Sequence, residues 1–217
     1  MKGAQEVTYY PVFLKVSQKK CVVVGGGRVA MRKVKALLEY GADVEVVSPC
    51  LCPELMALAE SGAIAAVKRE YREGDLKGAF VAIAATDNVD INRRLVAEAR
   101  RSAVLVNVVD DPGNCDFILP SYLRRGDVTV AVSTGGRSPA LARRIRSRLE
   151  EEIGEDYALL ADLIGEVRSE LRQRGIRVEG DDWQKALELD VLLDLLRRGE
   201  KEKARETLLG NLKVKQL

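Results

Sequence analysis

The sequence has no histidine among its 217 residues. Histidine is the side chain that most often transfers protons near neutral pH, so acid–base chemistry here must use a carboxylate, lysine, tyrosine or cysteine. A metal site would need cysteine or carboxylate ligands for the same reason. The pair Cys50 and Cys52 would need further ligands from elsewhere in the chain, such as Cys115. We therefore expect no permanent metal site.

The chain also has few cysteines, no long apolar run and no strong excess of charge of one sign. The chain has four cysteines and is long enough to be stabilised by a hydrophobic core, so we expect reduced thiols. No apolar run is long enough to span a bilayer, and residues 1–6 lack the apolar core of a signal peptide. The net charge of +2 argues against a general nucleic-acid binder. Together these absences predict a cytoplasmic globular protein without a membrane or nucleic-acid partner.

One glycine-rich stretch near the start carries a recognisable pattern. Residues 21–24 are apolar, three glycines follow at 25–27, and the next residues carry apolar side chains at helical spacing. The spacing Gly25-x-Gly27-x-x-Ala30 fits the GxGxxG/A pattern of dinucleotide-binding turns. In that pattern one glycine makes the turn, the second lets the backbone approach the pyrophosphate, and the small third residue allows close helix–strand packing. The sequence therefore predicts a pyrophosphate site at the start of a helix.

The residue expected to contact the cofactor's ribose is unusual. In dinucleotide-binding folds an acidic residue about twenty positions after the glycines usually holds the ribose hydroxyls. The residue at this position is Ser48. A serine bonds to a ribose hydroxyl without repelling a 2′-phosphate, so this residue leaves both NAD and NADP open. The absence of lysine or arginine at Ser48, Pro49 and Cys50 favours NAD.

Predicted strands and helices alternate through the first half of the chain. Such alternation is typical of an α/β fold with a Rossmann-type, doubly wound parallel sheet. Ligands of this fold lie beyond the carboxyl ends of the strands. The predicted strands are 21–24, 44–47, 64–68, 80–85 and 104–108, and the predicted helices are 31–40, 53–61 and 91–101.

Polar residues follow the fourth and fifth predicted strands. Thr86, Asp87 and Asn88 follow one strand, while Asn107 and Asp110 lie at the end of the next. Their positions make them candidates for the nicotinamide side of the site. Asp87 has an alternative role as the cap of the following helix, a role that Asp90 would also suit, and Asp110 has one as a turn former. Asp110 is the best-placed carboxylate for acid–base work.

The pattern changes after the fifth strand. Residues 117–132 predict an antiparallel hairpin with a turn at Gly126-Asp127, and Ser138-Pro139 predicts the start of a helix that runs to about 153. The rest is helical in period, over about 155–173, 182–197 and 200–209. We therefore predict a Rossmann domain at 1–114, a hairpin-plus-helix segment at 115–153 and a small helical domain at 154–217.

A basic segment follows the hairpin. Between Val128 and Leu149 there are five arginines and no acidic residue. The segment suits phosphate, nucleic acid, a polycarboxylate substrate or simply a solvated helix face, and composition does not separate these. Its candidate binding residues are Ser133, Thr134, Gly135, Arg137, Ser138, Arg143 and Arg144.

These motifs, taken in order, resemble those of the precorrin-2 dehydrogenase family of siroheme synthesis, which includes the amino-terminal half of fused siroheme synthases. The resemblance covers residues 9–150, and the helical tail matches in character only. The matching segments are 10–14 (YPVFL), 24–33 (VGGGRVAMRK), 84–88 (AATDN), 107–112 (NVVDDP), 115–118 with 120–121 (CDFI and PS) and 133–139 (STGGRSP).

The resemblance implies an activity and assigns roles to the candidate residues. It implies NAD-dependent oxidation of precorrin-2, a tetrapyrrole with eight carboxylates, to sirohydrochlorin. Asp110 matches the family's catalytic aspartate, and the basic segment would bind the substrate. The residues implied for the dinucleotide are Gly25, Gly27, Arg28, Val29, Ser48, Pro49, Cys50, Thr86, Asp87, Asn88 and Asn107.

The resemblance also implies partners and leaves alternatives open. Family members are homodimers, so residues 115–153 would form a dimerisation and substrate segment of α+β structure. Some members also insert ferrous iron into sirohydrochlorin, which makes a bifunctional dehydrogenase and ferrochelatase one alternative. A second alternative is a non-catalytic module that senses NAD(H) and signals through the helical tail.

Overall fold

The computed structural model describes residues 9–213. The chain divides into two compact units, residues 1–119 and 120–217. The expectation that no signal peptide is present rests on residues 1–6, which lie outside the described part. The three-part division at 114 and 153 stays a prediction.

The first unit contains a five-stranded parallel sheet in the order β3-β2-β1-β4-β5. In the central strand Val24 pairs with Val47 on one side and with Ala84 on the other. This order confirms the predicted doubly wound, Rossmann-type fold. The strands are β1 (Lys20–Val24), β2 (Asp43–Val47), β3 (Ala65–Val67), β4 (Val81–Ala84) and β5 (Leu105–Val108).

Alternate residues of β1 pack into two different cores. Val22 and Val24 belong to a cluster that includes residues of the helix at 89–101. Cys21 and Val23 belong to a second cluster that includes residues of the helix at 28–39. All four are at most 2% exposed. A strand covered on both faces has to be apolar at every position, which explains the uninterrupted apolar runs in the sequence.

Three helices connect these strands: α1 (Arg28–Glu39), α2 (Pro53–Glu60) and α3 (Val89–Arg101). The predicted cap of α3, Asp87 or Asp90, is wrong. Asn88 is the cap, and its side-chain oxygen accepts hydrogen bonds from the backbone N–H groups of Asp90 and Ile91, each at 3.1 Å. Asp90 is already inside the first turn, where its N–H needs an acceptor.

The second unit begins with the antiparallel hairpin of β6 (Ser121–Arg125) and β7 (Val128–Val132). Arg125 pairs with Val128, so the turn has two residues, Gly126 and Asp127, as predicted. The helix α4 (Pro139–Glu152) follows. The Ser138 hydroxyl oxygen accepts from the N–H of Leu141 at 3.2 Å, which confirms the predicted cap.

Four more helices follow in the described part of the second unit: α5 (Asp156–Gln173), α6 (Gly180–Ala186), α7 (Leu189–Arg197) and α8 (Lys201–Asn211). The single helix predicted at 182–197 is wrong, because the chain leaves the helical conformation at Leu187 and Glu188. Asn211 donates a side-chain hydrogen bond to the Ala186 carbonyl at 3.1 Å, so an end carbonyl of α6 has a partner. The break lets Trp183 and Leu192 pack into one core with α5 and α8.

Within residues 9–213, none of the helices combines the length and the apolar character that crossing a bilayer requires.

A buried carboxylate fixes one long loop of the first unit. Glu98 on α3 is 6% exposed and accepts hydrogen bonds from the Tyr71 hydroxyl and from the N–H groups of Gly74 and Leu76, both at 3.1 Å. Burial, together with the hydrogen bond to Glu98, raises the pKa of Tyr71 and keeps its hydroxyl protonated.

We predict that Glu98→Gln lowers the free energy of unfolding by about 1–3 kcal/mol, because an amide NH₂ would face buried N–H donors. Urea denaturation followed by circular dichroism measures the change. Glu73→Gln is the matched control, since the Glu73 side chain is 74% exposed in its ion pair with Arg101, and its change should stay below about 0.5 kcal/mol. Equal losses in the two variants would contradict the assigned role of Glu98.

Candidate dinucleotide site

The glycine turn between β1 and α1 fits tightly against two neighbouring loops. A Cβ atom on Gly25, whose φ is +130°, would lie 2.2 Å from the Ala85 carbonyl oxygen, and one on Gly26 would lie 1.8 Å from the Cys50 carbonyl oxygen. Real Cβ atoms do not approach oxygen so closely, so neither position accepts a side chain. Gly26 occupies a variable position of the GxGxxG/A pattern, yet it is as constrained sterically as Gly25.

Gly27 is in a different situation from its two neighbours. It caps the amino terminus of α1, and a Cβ atom there would meet nothing within 4 Å. The space in front of it is therefore open, and the first N–H groups of α1 lack helical acceptors there. This arrangement fits a pyrophosphate lying against the helix start.

Ser48 makes a side-chain hydrogen bond within the loop that surrounds the turn. It is 7% exposed, and its hydroxyl donates to the Cys50 carbonyl oxygen at 2.8 Å. The N–H of Cys52 donates to the Gly26 carbonyl oxygen at 2.7 Å and attaches the same loop to the turn. Pro49 and Cys50 are exposed beside it. The Ser48 hydroxyl proton is therefore engaged by the Cys50 carbonyl oxygen, which leaves the hydroxyl oxygen as an acceptor only.

Beyond β4, two of the three predicted ligands also support the local backbone. The Thr86 hydroxyl oxygen accepts from the N–H of Asn88 at 3.2 Å, and Asn88 caps α3. Asp87 is exposed. Asn92 donates its side-chain amide to the Thr86 carbonyl at 3.1 Å, while its own buried oxygen has no hydrogen-bond partner among residues 9–213.

Beyond β5, the two adjacent aspartates differ in their surroundings. Asp111 accepts a hydrogen bond from the Asn114 side chain at 2.8 Å. Asp110 is exposed, and within the described part of the chain its carboxylate makes no hydrogen bond or ion pair. Its φ of +60° lies in the left-handed region, which costs a non-glycine residue of order 1 kcal/mol. Asn107 is 8% exposed and donates to the Phe117 carbonyl at 3.0 Å, so its amide supports the following loop.

A cavity of about 650 Å³ lies at the carboxyl ends of β4 and β5. We call it the Asp110 cavity. Four of the predicted site residues, Val29, Thr86, Asp87 and Asp110, line it. The other lining residues are Ala85, Val89, Asn92, Arg93, Val96, Ala97, Arg100, Val108, Val109, Asp111 and Asn114.

The remaining predicted residues lie elsewhere. The glycine turn, Arg28, the loop at 48–50, Asn88 and Asn107 belong to the same unit but are not among the lining residues of the Asp110 cavity. The predicted substrate residues between Ser133 and Arg144 belong to the second unit.

Lys33, which is not among the predicted site residues, is a charged neighbour of Asp110. It lies one helical turn after Val29 on α1 and is partly buried. Burial lowers the pKa of its ammonium, and Arg32 acts in the same direction, while Asp110 and Cys115 oppose the shift. The i, i+4 spacing from Val29 is the sequence signal that would have placed it on this face.

Two family models match successive parts of the chain. The first, described as putative NAD(P)-binding, matches residues 12–121, and the second, described as sirohaem biosynthesis protein central, matches residues 125–152. A solved structure of the precorrin-2 dehydrogenase SirC is 26% identical, with a TM-score of 0.70, and the match covers 94% of this chain and 100% of that one.

Curated relatives include several siroheme synthases. That of Nitrosococcus oceani is 42% identical over 92% of this chain and 43% of its own length. Those of Thioalkalivibrio sulfidiphilus and Nitrosomonas europaea are 43% and 44% identical, over 92% and 83% of this chain and 41% and 38% of their own lengths. The chain thus spans about two fifths of these relatives. It belongs to the putative NAD(P)-binding family, and its resemblance to the precorrin-2 dehydrogenase family, including the amino-terminal part of siroheme synthases, is confirmed.

Proposed function

We propose that this chain catalyses the NAD-dependent oxidation of precorrin-2 to sirohydrochlorin. The observation that carries the proposal is the unpaired Asp110 carboxylate, which lines a cavity at the strand ends where this fold binds its ligands. The full-length match to a precorrin-2 dehydrogenase supports the same reaction.

The cofactor is NAD, which supplies a hydride acceptor when bound. Its phosphates would lie against Gly25, Gly27, Arg28 and Val29, since the space before Gly27 is open. Ser48, Pro49 and Cys50 would contact the adenosine ribose, and no carboxylate lies among them. Thr86, Asp87, Asn88 and Asn107 would contribute on the nicotinamide side, Asn88 and Asn107 through the backbone that they hold in place.

Asp110 would accept the proton that the substrate releases as hydride leaves it. The carboxylate is suited to this step because no hydrogen bond within residues 9–213 occupies it. Asp111 is less suited, since Asn114 already donates to it. The ammonium of Lys33 lies close enough to interact electrostatically with Asp110.

The basic segment of the second unit would bind substrate carboxylates. Ser133, Thr134, Gly135, Arg137 and Ser138 belong to the turn before α4, and Arg143 and Arg144 are exposed on that helix. The Thr134 hydroxyl oxygen accepts from the N–H of Ser138 at 3.0 Å, which gives the turn a defined shape. Arginine suits this role because its guanidinium pairs with a carboxylate through two hydrogen bonds.

The proposal extends to assembly and location. A homodimer is supported by apolar residues that the second unit leaves exposed, since Tyr122 of β6 is 38% exposed and Leu141 of α4 is 52% exposed. Sedimentation equilibrium tests this assembly.

A cytoplasmic location is supported by the four free cysteines.

Insertion of ferrous iron into sirohydrochlorin is a second candidate activity. The unpaired Asp110 carboxylate favours it, since metal insertion also requires a base to take protons from the ring nitrogens. The rate of siroheme formation with and without the protein tests it. The alternative of an NAD(H)-sensing module requires that NAD binds while precorrin-2 is not converted.

We predict that Asp110→Asn lowers kcat for precorrin-2 oxidation at least about a hundredfold, because the amide cannot accept a proton. The dissociation constant of NAD, measured by calorimetry, should stay within about twofold of wild type. Asp111→Asn is the matched control and should retain most of the activity, since that carboxylate is engaged by Asn114. If Asp110→Asn lost NAD affinity instead, the carboxylate would belong to the cofactor site.

We predict opposite consequences for alanine at the two neighbouring glycines. Gly26→Ala should destabilise the free protein by at least about 2 kcal/mol, because its Cβ would meet the Cys50 carbonyl at 1.8 Å. Gly27→Ala should change the stability by less than about 1 kcal/mol but weaken NAD binding about tenfold, because its Cβ would enter the pyrophosphate space. Calorimetric unfolding and NAD titration measure the two quantities. Unchanged NAD affinity in Gly27→Ala would place the phosphates elsewhere.

A further inference from the structure

We propose that Arg93 and Arg100, on the α3 side of the Asp110 cavity, bind carboxylate groups on the edge of the tetrapyrrole substrate. This inference rests on the proposed function and adds a second basic surface, in the same unit as Asp110, to the arginines of α4. It makes the two residues determinants of specificity for a polycarboxylate ring.

The two arginines share one face of α3. They are seven residues apart, which corresponds to two helical turns and a rise of about 10 Å. Both line the Asp110 cavity, and the small residue Ala97 between them lines it too. The guanidinium groups therefore flank an open stretch of helix instead of blocking it.

Their existing contacts are weak. Arg93 is 3.4 Å from the Asp90 carboxylate, and its side chain is 75% exposed. Arg100 donates to the neutral side-chain oxygen of Asn114 at 3.3 Å. A guanidinium has five N–H donors, so most donors on both residues remain available. A carboxylate would be a stronger acceptor than either present partner.

The other two arginines of α3 make their contacts outside this cavity. Arg101 forms an ion pair with Glu73 at 2.6 Å, and the Arg94 guanidinium lies 5.9 Å from the centre of the Tyr71 ring. Neither lines the Asp110 cavity. The helix thus carries two arginines engaged in the fold and two that face the cavity with weak partners.

The charges of the cavity are separated in a way that matches a tetrapyrrole. Positive charge lies on α3, while Asp110, the proposed proton acceptor, lies on the loop after β5. A tetrapyrrole has N–H groups at its centre and carboxylates on its edge. Asp110 at the centre and the two arginines at the edge would satisfy both groups at once, whereas an apolar ring would leave the arginines with their present weak contacts only.

The test compares four single variants and one double variant of the full chain: Arg93→Gln, Arg100→Gln, their combination, and the controls Arg94→Gln and Arg101→Gln. The first measurement is an absorbance titration with uroporphyrin III, an air-stable tetrapyrrole with eight carboxylates, at low and high salt. The second is the kinetics of precorrin-2 oxidation with saturating NAD. Calorimetry gives the affinity for NAD itself.

We expect each cavity variant to weaken porphyrin binding about three- to tenfold at low salt, and the double variant more, with a reduced salt dependence. KM for precorrin-2 should rise by similar factors, while kcat and NAD affinity stay within about twofold. The controls should bind the porphyrin as wild type does.

Unchanged porphyrin affinity in the double variant would overturn the inference, as would equal losses in the control variants, which would indicate a diffuse charge effect. Failure of the proposed function gives a different result. If the wild-type protein binds the porphyrin through Arg93 and Arg100 but does not oxidise precorrin-2, the carboxylate site stands and the dehydrogenase proposal fails.

Discussion

The site depends on one steric constraint, the close approach of the glycine turn to two neighbouring backbone carbonyls. The missing Cβ atoms of Gly25 and Gly26 let the Ala85 and Cys50 carbonyls come within a distance that no side chain allows. This contact fixes the turn between the loops after β2 and β4. The start of α1 is therefore presented, with its free N–H groups, at the carboxyl edge of the sheet.

The sheet could be predicted from the sequence because its strands are apolar at every position. Cys21 to Val24 face two cores alternately, and a strand buried on both sides tolerates no polar residue. Local chemistry also sufficed where a residue acts on its own neighbours, as Ser138 does at the start of α4 and Gly126 does in the hairpin turn. These features need only short-range information, which a sequence pattern contains.

The surroundings of the site residues were harder to predict because they depend on which other segments pack beside them. Asn107, which stays a proposed residue of the nicotinamide side, donates its amide N–H to the Phe117 carbonyl of the following loop. The contrast between Arg93 and Arg101, one facing the Asp110 cavity and the other paired with Glu73, depends on which loops pack beside α3. The residue type is the same at both positions, so it does not predict this difference in surroundings.

Asp110 combines a left-handed backbone, which costs of order 1 kcal/mol, with an exposed carboxylate that makes no hydrogen bond in the described chain and has a partly buried ammonium nearby. Asp111, one residue away, has the satisfied geometry expected of a purely structural turn. Glycine adopts this backbone without strain, and asparagine and aspartate adopt it more readily than other residues. Of these three only aspartate can accept a proton, which is what the proposed reaction requires at this position.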